Sequence, residues 1–206
     1  MRFICFVLFL ILSMFLVGQS AANENQLHED ISKNEQFSGL SQICPAELVK
    51  GEDIDFYNLT SECEENPNLC YKRCVRGSSD HCFGLANHFN ISDENSTAYS
   101  RPLYAKSCQL GLASSCTNVA AGLKNQFGLD EALCYTRTFE KTCELDDPWG
   151  CTMYAVSLIY GEGTEKDLDK ALSVMRGSCR FGEGDRACST ALELTSEIIK
   201  GEFDEK

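Results

Sequence analysis

Lys106-Ser-Cys-Gln-Leu-Gly-Leu-Ala-Ser-Ser-Cys116 carries two cysteines eight residues apart, with a glycine three residues after the first. The arrangement recurs at Cys74 and Cys82, at Cys143 and Cys151, and at Cys179 and Cys188, the last pair nine apart. Successive first cysteines are separated by 34, 35 and 36 residues. A period in this range is the signature of stacked helix-turn-helix units, each burying its apolar face against the next. Gly77, Gly111 and Gly182 occupy the same place after the first cysteine, whereas Asp146 breaks the pattern. Glycine ends helices by taking the left-handed conformation that other side chains resist. Each first cysteine therefore belongs to the last turn of one helix, and each second cysteine opens the next.

The flanking residues agree with that register. At three, four and seven residues after the second cysteine stand Leu85, Ala86 and Phe89, then Val119, Ala120 and Leu123, then Tyr154, Ala155 and Leu158. That spacing lines one helical face. The last unit, with Ala191, Leu192 and Thr195, is more polar, as expected of a terminal cap. Four residues before the first cysteines come Cys70, Tyr104, Phe139 and Met175, one turn inside the preceding helix. Tyr104, Phe139 and Phe89 are expected to fill the space between layers. The fold class expected is all-α, a superhelical solenoid of αα-hairpins, each clipped by a disulfide: Cys74–Cys82, Cys108–Cys116, Cys143–Cys151 and Cys179–Cys188. By loop entropy each clip contributes roughly 2–3 kcal/mol.

Arg2 precedes an apolar run from Phe3 to Val17, and the small residues Ser20, Ala21 and Ala22 follow. This is the layout of a signal peptide over residues 1–22, cleaved after Ala22. An uncleaved anchor is the alternative, for which the run is short. Of thirteen cysteines, Cys5 leaves with the signal, so an even number enters an oxidising compartment. Four of them, Cys44, Cys63, Cys70 and Cys134, fall outside the repeat. They allow three full pairings: Cys44 with Cys63 or with Cys70 would tether the N-terminal arm to the first repeat, and Cys134, far along the stack, is a candidate free thiol.

The chain of 206 residues is acidic, with 18 Lys and Arg against 31 Asp and Glu. Such a charge disfavours nucleic acid and anionic membranes; it suits a basic partner surface or simply solubility. Residues 23–70 hold eleven acids against Lys33 and Lys50. An acidic arm over 23–60 thus precedes a repeat domain over 61–206.

Conventional catalytic machinery is not legible. No serine has lysine three residues on, no Lys-Thr-Gly occurs, and Cys-x-x-Cys is absent. His28, His81 and His88 do not form a ligand set, so no metal or cofactor is expected. Asp146-Asp147 reads as a solvated turn or helix cap rather than an acid/base pair. Sequons stand at Asn58, Asn90 and Asn95, the latter two in an expected inter-repeat loop.

The stretch Leu158-Ile-Tyr-Gly-Glu-Gly-Thr-Glu-Lys-Asp-Leu-Asp-Lys-Ala-Leu172 resembles the Sel-1-like repeat family. Gly161, Gly163, Asp167, Lys170 and Ala171 match its Tyr-x-Gly-x-Gly loop and Asp-x-x-Lys-Ala helix start. Lys106 to Gly111 and Lys141-Thr-Cys143 resemble its helix endings, and the cysteine hairpin resembles the cysteine-rich secreted proteins of the Helicobacter type. The resemblance covers residues 62–200. It implies a right-handed superhelix with a concave groove and a role as an adaptor for proteins or peptides. Some secreted members bind penicillin-like compounds with weak β-lactamase activity. A mitochondrial intermembrane-space member assists respiratory-complex assembly, a route against which the N-terminal signal argues. The function expected is therefore an exported scaffold of the periplasm or extracellular space, with a protein or peptide partner and no membrane insertion after cleavage. A weak β-lactamase is the alternative.

Overall fold

The computed structural model describes residues 25–37, 44–50, 56–92 and 97–203. The chain divides into two units, residues 1–38 and 39–206. In the first, a helix over 25–33 is followed by a 3-10 turn, Glu35–Phe37. The expected signal segment, 1–22, lies outside the described residues.

The second unit is built from αα-hairpins. Its helices are α1 (Phe56–Glu65), α2 (Pro67–Val75), α3 (Ser79–Ser92), α4 (Thr97–Gln109), α5 (Ala113–Phe127), α6 (Ala132–Glu144), α7 (Pro148–Tyr160), α8 (Leu168–Val174) and α9 (Arg186–Ile199). A 3-10 turn, Met175–Cys179, prolongs α8. No strand occurs among the described residues, so the fold class is all-α. Hairpins α2/α3, α4/α5, α6/α7 and α8/α9 are the four repeats. Beyond the hairpins themselves, α1 packs on α3, α5 on α7, and α7 on α9.

Twelve cysteines meet as six pairs at bonding distance. Cys74–Cys82, Cys108–Cys116, Cys143–Cys151 and Cys179–Cys188 join the end of one helix to the start of the next. The turn between them is the same each time. The residue three after the first cysteine takes a positive φ, at 97° in Gly77, 104° in Gly111 and 90° in Gly182. Its N–H donates to the first cysteine's carbonyl at 2.8–3.0 Å. Asp146 does the same with φ 60° and a 2.9 Å bond to the Cys143 carbonyl. The break in the glycine pattern is thus a break in residue type only. Aspartate tolerates the left-handed region better than most side chains, and the turn geometry imposes it.

Inter-repeat packing is equally periodic. The alanines four residues after the second cysteine, Ala86, Ala120 and Ala155, are fully buried, which lets neighbouring helices approach closely. Phe89, Tyr104, Phe139 and Met175 are all buried in the core. Hydroxyl contacts fix the stagger between repeats. Thr117, one residue after Cys116, lies 2.9 Å from the hydroxyl of Thr142, one residue before Cys143. Thr152 and Ser178 repeat this contact at 2.9 Å one unit later. Buried hydroxyls need partners, so each pair resists sliding of one hairpin along the next.

The Gly-x-Gly loop has a structural basis. Gly161 ends α7 with φ 69°, its N–H donating to the Ser157 carbonyl. Gly163, at φ 63°, packs so tightly on the start of α6 that a Cβ there would lie 2.3 Å from the Ala132 carbonyl oxygen. Asp167 caps α8, its side chain accepting from the Lys170 N–H at 2.8 Å.

The four remaining cysteines, whose pairing the spacing leaves open, form two pairs. Cys63 in α1 meets Cys70 in α2 across the Asn66–Pro67 break, with Cα atoms 5.6 Å apart. Facing helix ends seven residues apart satisfy each other, which leaves Cys44 without a partner in the first repeat. Cys44 joins Cys134 in α6, 90 residues away, so Cys134 is no free thiol. Residues 44–50 lie across the outer side of that helix: the Lys141 ammonium donates to the Ala46 carbonyl at 2.7 Å, and the Lys50 N–H to the Gly111 carbonyl at 3.2 Å.

Candidate functional site: a groove along the second helices

Helices α3, α5, α7 and α9, with the end of α1, line a groove of about 820 Å³. The repeat register decides what faces it. The second helices start at clipped turns, and α3 and α7 bury all three positions three, four and seven after their cysteines. Positions two, five and nine supply groove-lining residues, Asn87, Asn118, Ala121, Asn125 and Met153, of which Ala121 and Met153 also pack against the core. Trp149 and Phe181, each 40 % exposed, form the C-terminal end of the groove. The Arg180 guanidinium lies 5.4 Å from the Phe181 ring centre.

The floor is a buried polar cluster. Asp147 caps α7 and is 3 % exposed. Its carboxylate accepts from the Ser114 hydroxyl at 2.7 Å, the Thr117 hydroxyl at 2.5 Å and the Gly150 N–H at 2.9 Å. Buried charge is tolerated when hydrogen bonds replace its water, and here donors from two repeats do so. Of the Asp146-Asp147 pair, Asp146 is an exposed turn residue and Asp147 a cap, buried rather than solvated.

Tyr104 closes the N-terminal part of the floor. Its ring sits 5.8 Å from that of Phe83, and its hydroxyl donates to Asn87 Oδ1 at 2.6 Å. Burial pushes the phenol well above the usual tyrosine range. Away from the groove, burial together with the Glu162 carboxylate beside it pushes Tyr135 up to about 12. Lys124 pairs with that same carboxylate.

None of the twelve paired cysteines lines the groove; they sit at the turns and on the outer side. Asn90 belongs to α3 and faces the groove, not an inter-repeat loop, because α3 runs on to Ser92. Asn95 lies outside the described residues, and Asn58 falls within α1. The asparagines were the missed signal: polar residues of low helix propensity at one recurring face of otherwise well-formed helices.

The chain is similar to cytochrome c oxidase assembly factors. It is 32% identical over 112 residues to cytochrome c oxidase assembly factor 7A of Xenopus laevis, and 31% identical over 112 residues to cytochrome c oxidase assembly factor 7 of Xenopus tropicalis. Each match covers 50% of this chain and 48% of the relative, so the chain spans about half the length of the curated relatives it matches. No family model matches, and no solved structure matches.

These findings correct the sequence-based expectations of identity. The resemblance to the Sel-1-like family in its cysteine-rich secreted branch is overturned: no family model supports it, and the matching proteins are assembly factors. The exported scaffold of the periplasm or extracellular space falls with it, as does the alternative of a penicillin-binding β-lactamase. Repeating cysteine hairpins report a packing solution and an oxidising environment, which unrelated destinations share. A protein partner remains consistent with relatives that are named for assembling an enzyme.

Proposed function

We propose that this chain is an assembly factor for cytochrome c oxidase, a disulfide-clipped scaffold that holds a protein partner in the groove along α3, α5, α7 and α9. The similarity to the two assembly factors carries this reading. The groove supports it, because it spans consecutive repeats and offers polar side chains with an apolar end, as a polypeptide ligand requires. The six cysteine pairs fit work in an oxidising compartment, and the intermembrane space of mitochondria is the one that adjoins the oxidase. A net charge of −13 favours encounter with a basic partner surface.

Depletion of the chain from its own cells tests the proposal. Assembled oxidase on native gels should fall and partial assemblies accumulate, with recovery on re-expression of the full chain. Unchanged oxidase after complete depletion removes it. Thiol alkylation of the protein taken directly from mitochondria should find all six pairs oxidised; a reduced pool, or recovery from another compartment, removes the localisation.

A further inference from the structure

We infer that Asn87 and Asn118 form a backbone-reading pair in the groove, one amide fixed to donate and the other to accept, so that the groove takes an extended segment of a protein partner. The inference rests on the reading that the groove holds a protein. It goes further in naming the chemical feature recognised, the peptide unit itself, and the residues that recognise it.

An asparagine side chain can donate or accept, and left alone it rotates to suit its ligand. Neither of these is left alone. Asn118 Nδ2 donates to the Ser114 carbonyl at 2.9 Å. A backbone carbonyl can only accept, so the amide nitrogen is held against the helix and Oδ1 is presented to the groove. Asn87 is fixed in the opposite sense. Tyr104, only 6 % exposed, must place its hydroxyl proton on an acceptor, and Asn87 Oδ1 takes it at 2.6 Å. The phenol keeps that proton because burial opposes its ionisation. The Asn87 NH₂ is then the group left to the groove. Asn87 stands on α3 and Asn118 on α5, in adjacent repeats, and both line the same cavity.

A polypeptide crossing from one helix to the next meets a fixed donor and then a fixed acceptor. These match the C=O and N–H that every non-proline residue carries, whatever its side chain. Specificity falls instead to the far end, where Trp149, Met153 and Phe181 would seat a bulky apolar side chain. Holding the amides before the partner arrives removes an ordering cost from binding.

Overlapping synthetic peptides spanning the cytochrome c oxidase subunits are the probe, tested by fluorescence anisotropy against the full oxidised protein. The tightest peptide is then remade with single N-methylated amides. One such methylation should weaken binding about tenfold in the parent and have almost no effect in Asn118→Ala, which is itself about tenfold weaker. Tyr104→Phe, which keeps Asn87 but releases it, should weaken binding without changing which methylation matters. Asn118 and Trp149 are exposed, so unchanged melting temperatures verify the folding of their variants. Binding lost in Trp149→Ala but indifferent to Asn118→Ala and to every methylation overturns backbone reading and leaves the groove as the site. No peptide binding at all overturns both.

Discussion

Replacing Asp147 with alanine should cost about 3–5 kcal/mol of unfolding free energy. Loss of the α7 cap accounts for about 1 kcal/mol of this. The larger part comes from the donors left behind. Ser114 and Thr117 are 5 % and 3 % exposed, so water from the groove replaces the carboxylate only in part. A hydrogen bond to a charged group contributes roughly 1.5–3 kcal/mol. Thr117 loses less than that, because the Thr142 hydroxyl at 2.9 Å offers a second partner. Ser114, bonded to Oδ1 at 2.7 Å, has no such relief in view. Asp147→Asn keeps the shape and one acceptor oxygen and should cost about 1–2 kcal/mol, since the pairing becomes neutral. Equilibrium urea unfolding with the disulfides intact, followed by circular dichroism, measures all three proteins. Ser114→Ala in the Asp147→Ala background should restore part of the loss, because it removes the stranded donor. A cost below about 1 kcal/mol for Asp147→Ala, or equal costs for alanine and asparagine, would refute the claim that this carboxylate locks adjacent repeats together.

The neighbouring residue should respond with the opposite sign: Asp146→Gly relieves a positive φ that three equivalent turns assign to glycine, and thermal unfolding should show a gain of about 0.5–1 kcal/mol. Glycine to alanine should separate two glycines by their surroundings. At Gly163, where a Cβ would lie 2.3 Å from the Ala132 carbonyl oxygen, the loss should exceed about 2 kcal/mol, whereas at Gly122, inside α5 with nothing within 4 Å, alanine should stabilise by up to about 1 kcal/mol. Of the seven tyrosines, Tyr104 and Tyr135 should ionise last in a phenolate absorbance titration, and Tyr135→Phe should remove a step near pH 12. Because the folded Tyr135 phenol ionises above its ordinary value of 10.0, its contribution to stability is complete below that pH and is lost as pH rises towards 12; a parent and a Tyr135→Phe variant whose stabilities stay parallel across that window refute the assignment.

Much of the architecture was legible because it is local. Eight-residue cysteine pairs, a glycine in the turn and an alanine one helical turn into the next helix are constraints within a single hairpin. Repetition of that hairpin determines a stack. Asp146 shows that such a pattern specifies a backbone conformation more strongly than a residue type. The secreted destination was misread for a related reason: clipped hairpins mark oxidising chemistry, and more than one compartment supplies it.

What tertiary structure alone decided is where helices of different repeats bring their side chains together. No spacing rule links Cys44 to Cys134 across 90 residues, because closing so long a loop depends on where the stack places α6. Asp147 reads as an ordinary cap until Ser114 and Thr117 arrive from the preceding repeat and bury it. The setting of Asn87 likewise comes from Tyr104, 17 residues away in the next repeat, whereas that of Asn118 is a local contact with the Ser114 carbonyl one turn back. The sequence by itself determined the helical hairpin and its period, because these follow from short-range sterics and local ring closure. The groove and the polarity of Asn87 required the folded stack, because there the hydrogen-bond direction is settled by a neighbour that only packing supplies.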